Sequence, residues 1–362
     1  MKKNLSVKLA AIAGVLVSLA PSPTEACTGI TLKSKNDSTI VARTIEWGGS
    51  NLNSQYVVVP RGHAGRSFTP EGRNGMSYVA RYGYVGFAVE QEEFIAEGLN
   101  EAGLSAGLFY FPNYGEYEKY NPAEKEKSIS DLQLVSWLLG ECKTVEEVKE
   151  AVQKVRVINI VAYASTVHWR FADASGCQLV LEITKATPHF YENKLGVLTN
   201  SPGFEWQLTN LNNYVNLFPG TAPTHLQGDI ELSAFGSGSG FLGIPGDVTP
   251  PSRFVRAAFY QTTAPRQTTA LETVLQCFQI LNNFDIPIGI EFEPGKIPAD
   301  IPSATQWTSA TDMGNRVIYY RTMYNSRIRS IDLHSIDFAT VQYHAEPLDS
   351  TKQQPVEKIL VQ

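Results

Sequence analysis

Thr24-Glu25-Ala26-Cys27-Thr28-Gly29-Ile30-Thr31-Leu32 joins the end of an export signal to the first β-rich run of the chain. Ahead of it, Lys2, Lys3 and Lys8 make a basic stretch, and an apolar run extends from Leu9 to Ala20. A basic start, an apolar run and a small-residue stop are the parts of a secretory signal peptide. Residues 1–26 are therefore expected to be removed, leaving residues 27–362 as a single domain. Cys27 would then carry both a thiol and a free α-amine. An α-amine titrates at about 7.7–8.0, where a general base works well at neutral pH, and it can take the thiol proton directly or through one water. Nucleophile and base would sit on one residue, the N-terminal form of thiol catalysis.

Cys27 admits other readings. A cysteine after an export signal is also where a diacylglyceryl anchor is attached, which would block the thiol and make the chain a lipid-anchored binding protein. Lipid-attachment sites usually carry small residues before the cysteine, whereas Glu25 puts a charge there. An ordinary buried cysteine is the third reading. A dyad with a distant histidine is a fourth, but it would need no N-terminal placement of Cys27. His63, His168, His189, His225, His334 and His344 make no HxH or HExxH pair and no Cys/His ligand spacing, so neither a metal nor another cofactor is expected. His168 reads as a strand residue with a satisfied ring. Gly236-Ser-Gly-Ser-Gly240 lacks the spacing of a phosphate-binding loop and reads as a flexible connection.

The net charge of −6 over 362 residues becomes −8 once three lysines and one glutamate leave with residues 1–26, which argues against a nucleic-acid partner. Past Cys27 no apolar run reaches the roughly 18 residues needed to span a bilayer, so no stable membrane insertion is expected. Cys142, Cys177 and Cys277 are widely spaced and suggest no disulfide framework. Cys27 is expected to be the most reactive of the four thiols.

Strands dominate the pattern. Gly29–Leu32 and Thr39–Arg43 flank the turn residues Asn36-Asp37 and read as a hairpin, so the nucleophile would begin an anchored strand. Helices are expected over 130–141 and 144–155, the second opened by the capping box Thr144-Val-Glu-Glu147. A second hairpin is expected from 168–173 and 177–182 about Ala174-Ser-Gly176. Pro250-Pro251-Ser252 leads into Arg253–Phe259, and 268–281 has apolar residues at helical spacing. From about Leu348 the chain becomes polar and reads as a weakly structured end. Strand runs interrupted by helix pairs point to an α+β domain in which two antiparallel sheets face each other under helices.

Several segments taken in order resemble the choloylglycine hydrolase family of bile salt hydrolases and penicillin V acylases. They are Cys27-Thr-Gly-Ile, Arg43 sixteen residues later, Asn100-Glu-Ala-Gly-Leu104, His168-Trp169 with Asp173 and Glu182, Leu198-Thr-Asn-Ser-Pro202, and Gly243-Ile-Pro-Gly-Asp247 leading into Ser252-Arg-Phe-Val-Arg256. The resemblance implies a four-layer αββα sandwich of the N-terminal nucleophile type, commonly a homotetramer. It also implies roles. Cys27 matches the nucleophile, Arg43 the cation that lowers its pKa, Asn200 the oxyanion-hole amide, and Arg253 an arginine of the surrounding charge network. Tyr110 matches a residue whose backbone N–H completes the oxyanion hole. Glu46 stands where many members carry an aspartate that hydrogen-bonds the amine or thiol. Trp47, Phe109, Phe204 and Trp206 are candidates to line an apolar substrate pocket.

The resulting expectation is an exported, periplasmic or secreted cysteine amidase that cleaves an apolar acyl group from a small polar amine. Bile acids conjugated to glycine or taurine lead as substrates, with penicillin V and N-acyl homoserine lactones as alternatives. A lipoprotein anchored through Cys27 is the non-enzymatic alternative.

Overall fold

β1 (Ala26–Lys33) and β2 (Thr39–Glu46) form the first hairpin, in register from Ala26 opposite Glu46 to Lys33 opposite Thr39. Its turn closes where Asn36-Asp37 indicated: Ser38 N–H donates to Ser34 Oγ at 2.9 Å, and Asp37 adopts a positive φ of 61°, which Asp tolerates in turns. The computed structural model describes residues 26–160 and 166–361. Residues 1–25, the body of the expected signal peptide, lie outside the described residues.

After the first hairpin come β3 (Gln55–Val59), β4 (Tyr84–Ala88), β5 (Ile95–Asn100) and β6 (Ser105–Tyr110). α1 (Leu134–Glu141) begins later than expected, because Asp131–Gln133 forms a separate tight turn in front of it. α2 (Val145–Val152) is capped by Thr144 but ends three residues early. Glu147 reaches past the cap to accept from Lys143 N–H at 2.8 Å, so the expected box closes one residue upstream. The second hairpin is β7 (Val167–Ala172) and β8 (Gln178–Thr184), extended by β9 (Thr187–Glu192). α3 (Phe204–Asn210), α4 (Pro250–Thr263) and α5 (Ala270–Leu281) follow. β10 (Thr305–Asp312), β11 (Val317–Thr322), β12 (Asn325–Asp332) and β13 (His344–Pro347) complete the sheets.

Two large antiparallel sheets result, beside small two-stranded ones. One has the order β1-β2-β10-β11-β12, the other β9-β8-β7-β6-β5-β4-β3-β13. α4 and α5 cover the outer face of the first, and α1 covers β5 and β6 of the second. This is the expected four-layer α+β sandwich. Between the sheets, Phe87 meets Trp307 and Tyr320 edge-on, at ring separations of 5.5 and 5.1 Å. A strand between a second sheet and a helix layer is buried on both faces, and Thr39-Ile-Val-Ala-Arg-Thr-Ile-Glu46 is buried at every position. Its polar residues therefore need partners inside the protein.

Gly29 sits two residues beyond Cys27 and opposite Arg43. A Cβ there would come within 2.7 Å of Arg170 Nη1 and 3.0 Å of the Phe109 ring. The missing side chain is what lets the two sheets close over these groups. Gly29→Ala is expected to destabilise the protein by about 1–3 kcal/mol, the usual result of overfilling a packed core, and a lowered midpoint in thermal unfolding checks it.

Candidate active site

Cys27 lies at the start of β1, and its side chain turns into the space between the sheets. Antiparallel partners share a face, so Cys27 and Gly29 face the same way as Ile45 and Arg43 across the hairpin. Arg43 Nη2 donates to Cys27 Sγ at 2.8 Å. The guanidinium is fully buried and held by carbonyl oxygens: Nη1 donates to Leu108 O at 2.6 Å and Ala96 O at 3.0 Å, and Nε to Thr44 O at 3.2 Å. Glu97 lies 3.6 Å from Nη1, and the Phe109 ring stacks 4.1 Å from the guanidinium carbon. Arg170 also lies over the Phe109 ring, 5.4 Å from its centre, and pairs with the same Glu97 at 3.4 Å.

A second guanidinium works from the helix layer. Proline at its first position opens α4, where a missing N–H costs nothing, and the helix aims Arg253 at the start of β1. Nη1 donates to Cys27 O at 2.6 Å and Thr28 Oγ1 at 2.8 Å, and Nη2 donates to Asn200 Oδ1 at 2.7 Å. Asn200 Oδ1 also accepts from Cys27 N–H at 2.8 Å. A guanidinium only donates, so it settles which end of the Asn200 amide is oxygen. Asn200 Nδ2 donates one of its two hydrogens to Tyr110 O at 2.7 Å. The second remains for another acceptor.

Glu46 departs from the expected arrangement. Arg43 and Glu46 are three apart on one strand, so they point to opposite faces. Glu46 shares the face of Ala26, its partner across the hairpin, and its Oε1 accepts from Thr305 Oγ1 at 3.4 Å. Burial pushes its carboxyl up to about 8, against the pull of Arg253 and, more weakly, Arg43. Its influence on Cys27 is through charge, which raises the thiol pKa.

The expectation that Arg43 lowers the thiol pKa is met only in part. Burial is the larger effect and lifts the Cys27 thiol above its ordinary value; Arg43 and the Tyr110 backbone N–H act against it. The substrate-pocket candidates also separate. Phe109 is fully buried against Arg43 and Arg170, and Phe204 packs on Tyr191 and Phe254, so neither offers surface to a ligand here. Trp47 is half-buried and donates to Ser50 Oγ, while Trp206 is exposed. Reasoning from sequence passed over Thr28, Glu97 and Arg170. A lone charge inside the apolar runs Phe94-Ile-Ala-Glu-Gly-Leu99 and Val167-His-Trp-Arg-Phe171 was the available signal, because such a charge must be paired once buried. No group of three metal-ligating side chains occurs among the described residues.

Two stacked antiparallel sheets with helices outside and a cation-paired thiol on the first strand define a hydrolase of the N-terminal nucleophile class. A family model described as linear amide C–N hydrolases, choloylglycine hydrolase family, matches residues 27–351. The chain belongs to that family and hydrolyses linear amide C–N bonds. It is 33% identical over 334 residues to a bile salt hydrolase/transferase of Lactiplantibacillus plantarum, covering 90% of this chain and 98% of the relative. It is 31% identical over 314 residues to one of Clostridium perfringens, covering 85% and 92%. A crystal structure of a conjugated bile acid hydrolase mutant from Clostridium perfringens superposes with a TM-score of 0.79 at 29% identity, over 92% of this chain and all of that one. A penicillin V acylase from Agrobacterium tumefaciens shares the fold, with a TM-score of 0.70 at 23% identity over 88% and 90% of the two chains. The family match sets aside the reading as a non-enzymatic binding protein.

With Ala26 attached, Cys177 is the accessible thiol and Cys27 is not. Cys27, Cys142 and Cys277 are buried, burial pushes Cys142 up to about 12 and Cys277 higher still, and Cys177 is exposed in its turn. Iodoacetamide is expected to label Cys177 first in a chain that keeps Ala26, read by peptide mass spectrometry, with Cys27 reacting only after cleavage.

Glu46 makes a second expectation for the same uncut chain. Its folded pKa of about 8 exceeds the unfolded value of about 4.3. Between the two the folded state holds the extra proton, so stability is full below the lower value and falls as pH rises through the upper one. Glu46→Gln cannot titrate. Its melting temperature should lose this decline between about pH 5 and pH 8, which thermal scans across that range measure directly.

Proposed function

We propose that the chain is exported, is cut after Ala26, and hydrolyses the amide bond of conjugated bile salts with Cys27 as nucleophile. The observation that carries this reading is the double hold on Cys27: its sulfur on Arg43 at 2.8 Å and its nitrogen on Asn200 Oδ1 at 2.8 Å. Once Ala26 is gone, that nitrogen is an amine. Relatives named for bile salts cover nearly the whole chain at 31% and 33% identity. Two solved relatives carry single replacements, a cysteine by alanine and an arginine by leucine, sixteen positions apart. Cys27 and Arg43 have the same separation.

The chemistry follows from the groups in place. The Cys27 amine takes the thiol proton, and the thiolate attacks the amide carbon. Negative charge moves to the carbonyl oxygen, where the spare N–H of Asn200 and the backbone N–H of Tyr110 receive it. The ammonium returns the proton to the departing nitrogen, the C–N bond breaks, and the acyl group stays on sulfur. Water, deprotonated by the same amine, then releases the acid. Arg43 and Arg253 offset the developing negative charge. Glu46, opposite Ala26 across the hairpin, is the carboxyl group placed beside the Cys27 nitrogen once Ala26 is gone. Trp47 and Trp206 are the aromatic candidates to meet the acyl group.

Assembly fits the same reading. The hairpin of 225–227 and 230–232 exposes Leu226 on one face and Ile230 and Leu232 on the other, with Phe235 just beyond. Single exposed apolar residues are ordinary, but several on both faces of one short hairpin suit a contact surface, and we assign it to a homotetramer. No helix among the described residues is long and apolar enough to cross a membrane.

The test compares glycocholate, taurocholate and penicillin V on protein whose first residue has been established by N-terminal sequencing. Protein beginning at Cys27 should hydrolyse the two bile salts fastest, and Cys27→Ala should be inactive. A form retaining residues 1–26 should lose roughly 10²-fold or more in kcat, since an amide nitrogen cannot serve as the base. Full turnover by the extended form would overturn the mechanism, and faster hydrolysis of penicillin V would overturn the substrate.

A further inference from the structure

The loop carrying Asn200 is gripped at both ends by one buried imidazole–carboxylate pair. His168 on β7 and Glu182 on β8 follow the antiparallel pairing of those strands, and both are buried. His168 Nε2 lies 3.0 Å from Thr199 O, and Nδ1 lies 3.0 Å from Glu182 Oε1. The same Oε1 accepts from Phe204 N–H at 2.9 Å. Thr199 and Phe204 bracket Asn200. A carbonyl oxygen can only accept, so His168 Nε2 carries a proton and donates to Thr199 O. The ring is fixed in plane by Phe111, stacked on it at 4.3 Å and 8°.

We propose that His168 and Glu182 are positioning residues that hold the Asn200 amide where a transition-state oxygen would meet it. A buried ion pair or hydrogen-bonded polar pair contributes little net stability over an apolar pair of similar size. What an apolar pair cannot do is bond a carbonyl at one end of a loop and an N–H at the other. The amide itself has little freedom to correct a shifted backbone. Asn200 Oδ1 is held by Arg253 and Cys27 N–H, and one Nδ2 hydrogen by Tyr110 O. A displacement of the loop therefore moves the spare N–H away from the reacting oxygen.

This inference rests on the oxyanion role assigned to Asn200, so the experiment separates the two. Kinetics would be measured on Glu182→Gln, His168→Gln, His168→Ala, Asn200→Ala and the double variant Glu182→Gln/Asn200→Ala, with the fastest of the three amide substrates. Loss of an oxyanion donor typically costs about 10²–10³ in kcat. Asn200→Ala is expected to fall in that range. Glu182→Gln and His168→Gln should each lower kcat about tenfold with KM within about twofold, the pattern of an interaction made in the transition state. Glutamine at 168 can still place an N–H near Thr199 O, so His168→Gln should exceed His168→Ala. The double variant should be no slower than Asn200→Ala alone, because residues acting through one group are not additive. If Glu182→Gln and His168→Gln melt lower but keep kcat, the pair is merely structural and the inference fails. A full further loss on top of Asn200→Ala also overturns it. Unchanged kcat in Asn200→Ala would remove the oxyanion assignment, and the positioning role with it.

Discussion

A guanidinium with no exposure to water organises this protein. Arg43 sits between two sheets, where an unpaired charge would cost several kcal/mol. It can stay only because carbonyls from three strands, the Glu97 carboxylate and the Cys27 sulfur converge on it. Each convergence constrains something else. Gly29 and Gly107 have no side chain because a Cβ on either would strike Arg170, Phe109 or Glu97, at 2.7, 3.0 and 2.2 Å in turn. The spacing of the sheets is thus set around a charge.

The hairpin that carries the thiol works on both faces. Toward the second sheet it presents Cys27 Sγ to Arg43. Toward the helices it presents Thr28 and Glu46, and there Arg253 reaches in from α4. The Cys27 nitrogen lies at the seam, bonded to Asn200. A thiol, its nitrogen and an amide thus meet without sharing a strand face. Glu46, three residues from Arg43, takes the face away from the sulfur, opposite Ala26 at the Cys27 nitrogen.

Much of this was legible in the chain. Asn36-Asp37 marked the first turn, Ala174-Ser-Gly176 the second, and Thr144 a helix cap, because turns and caps depend on a few residues and their own backbone. The ordered motifs around Cys27, Arg43, Asn200 and Arg253 located four groups that the fold brings together. Thr269 and Glu272, which close a complete capping box at the start of α5, were as readable as Thr144 but were missed. Thr305–Asp312 was not recognised as the strand that pairs with β2, since that pairing spans more than 250 residues and has no local signature. Phe109 and Phe204 looked like pocket walls because an aromatic side chain reads alike in a core and in a cleft.

The sequence by itself determined the residue types: a cysteine at the head of the first strand, the cations and amide to serve it, and the β-rich pattern of a layered α+β protein. Local chemistry and ordered spacing carry that much. The tertiary structure alone decided which face each side chain took, that two arginines meet at the Phe109 ring, that burial outweighs Arg43 at the thiol, and that His168 and Glu182 grip both ends of the Asn200 loop. Those outcomes arise from register between strands distant in the chain and from desolvation, and neither exists until the two sheets close.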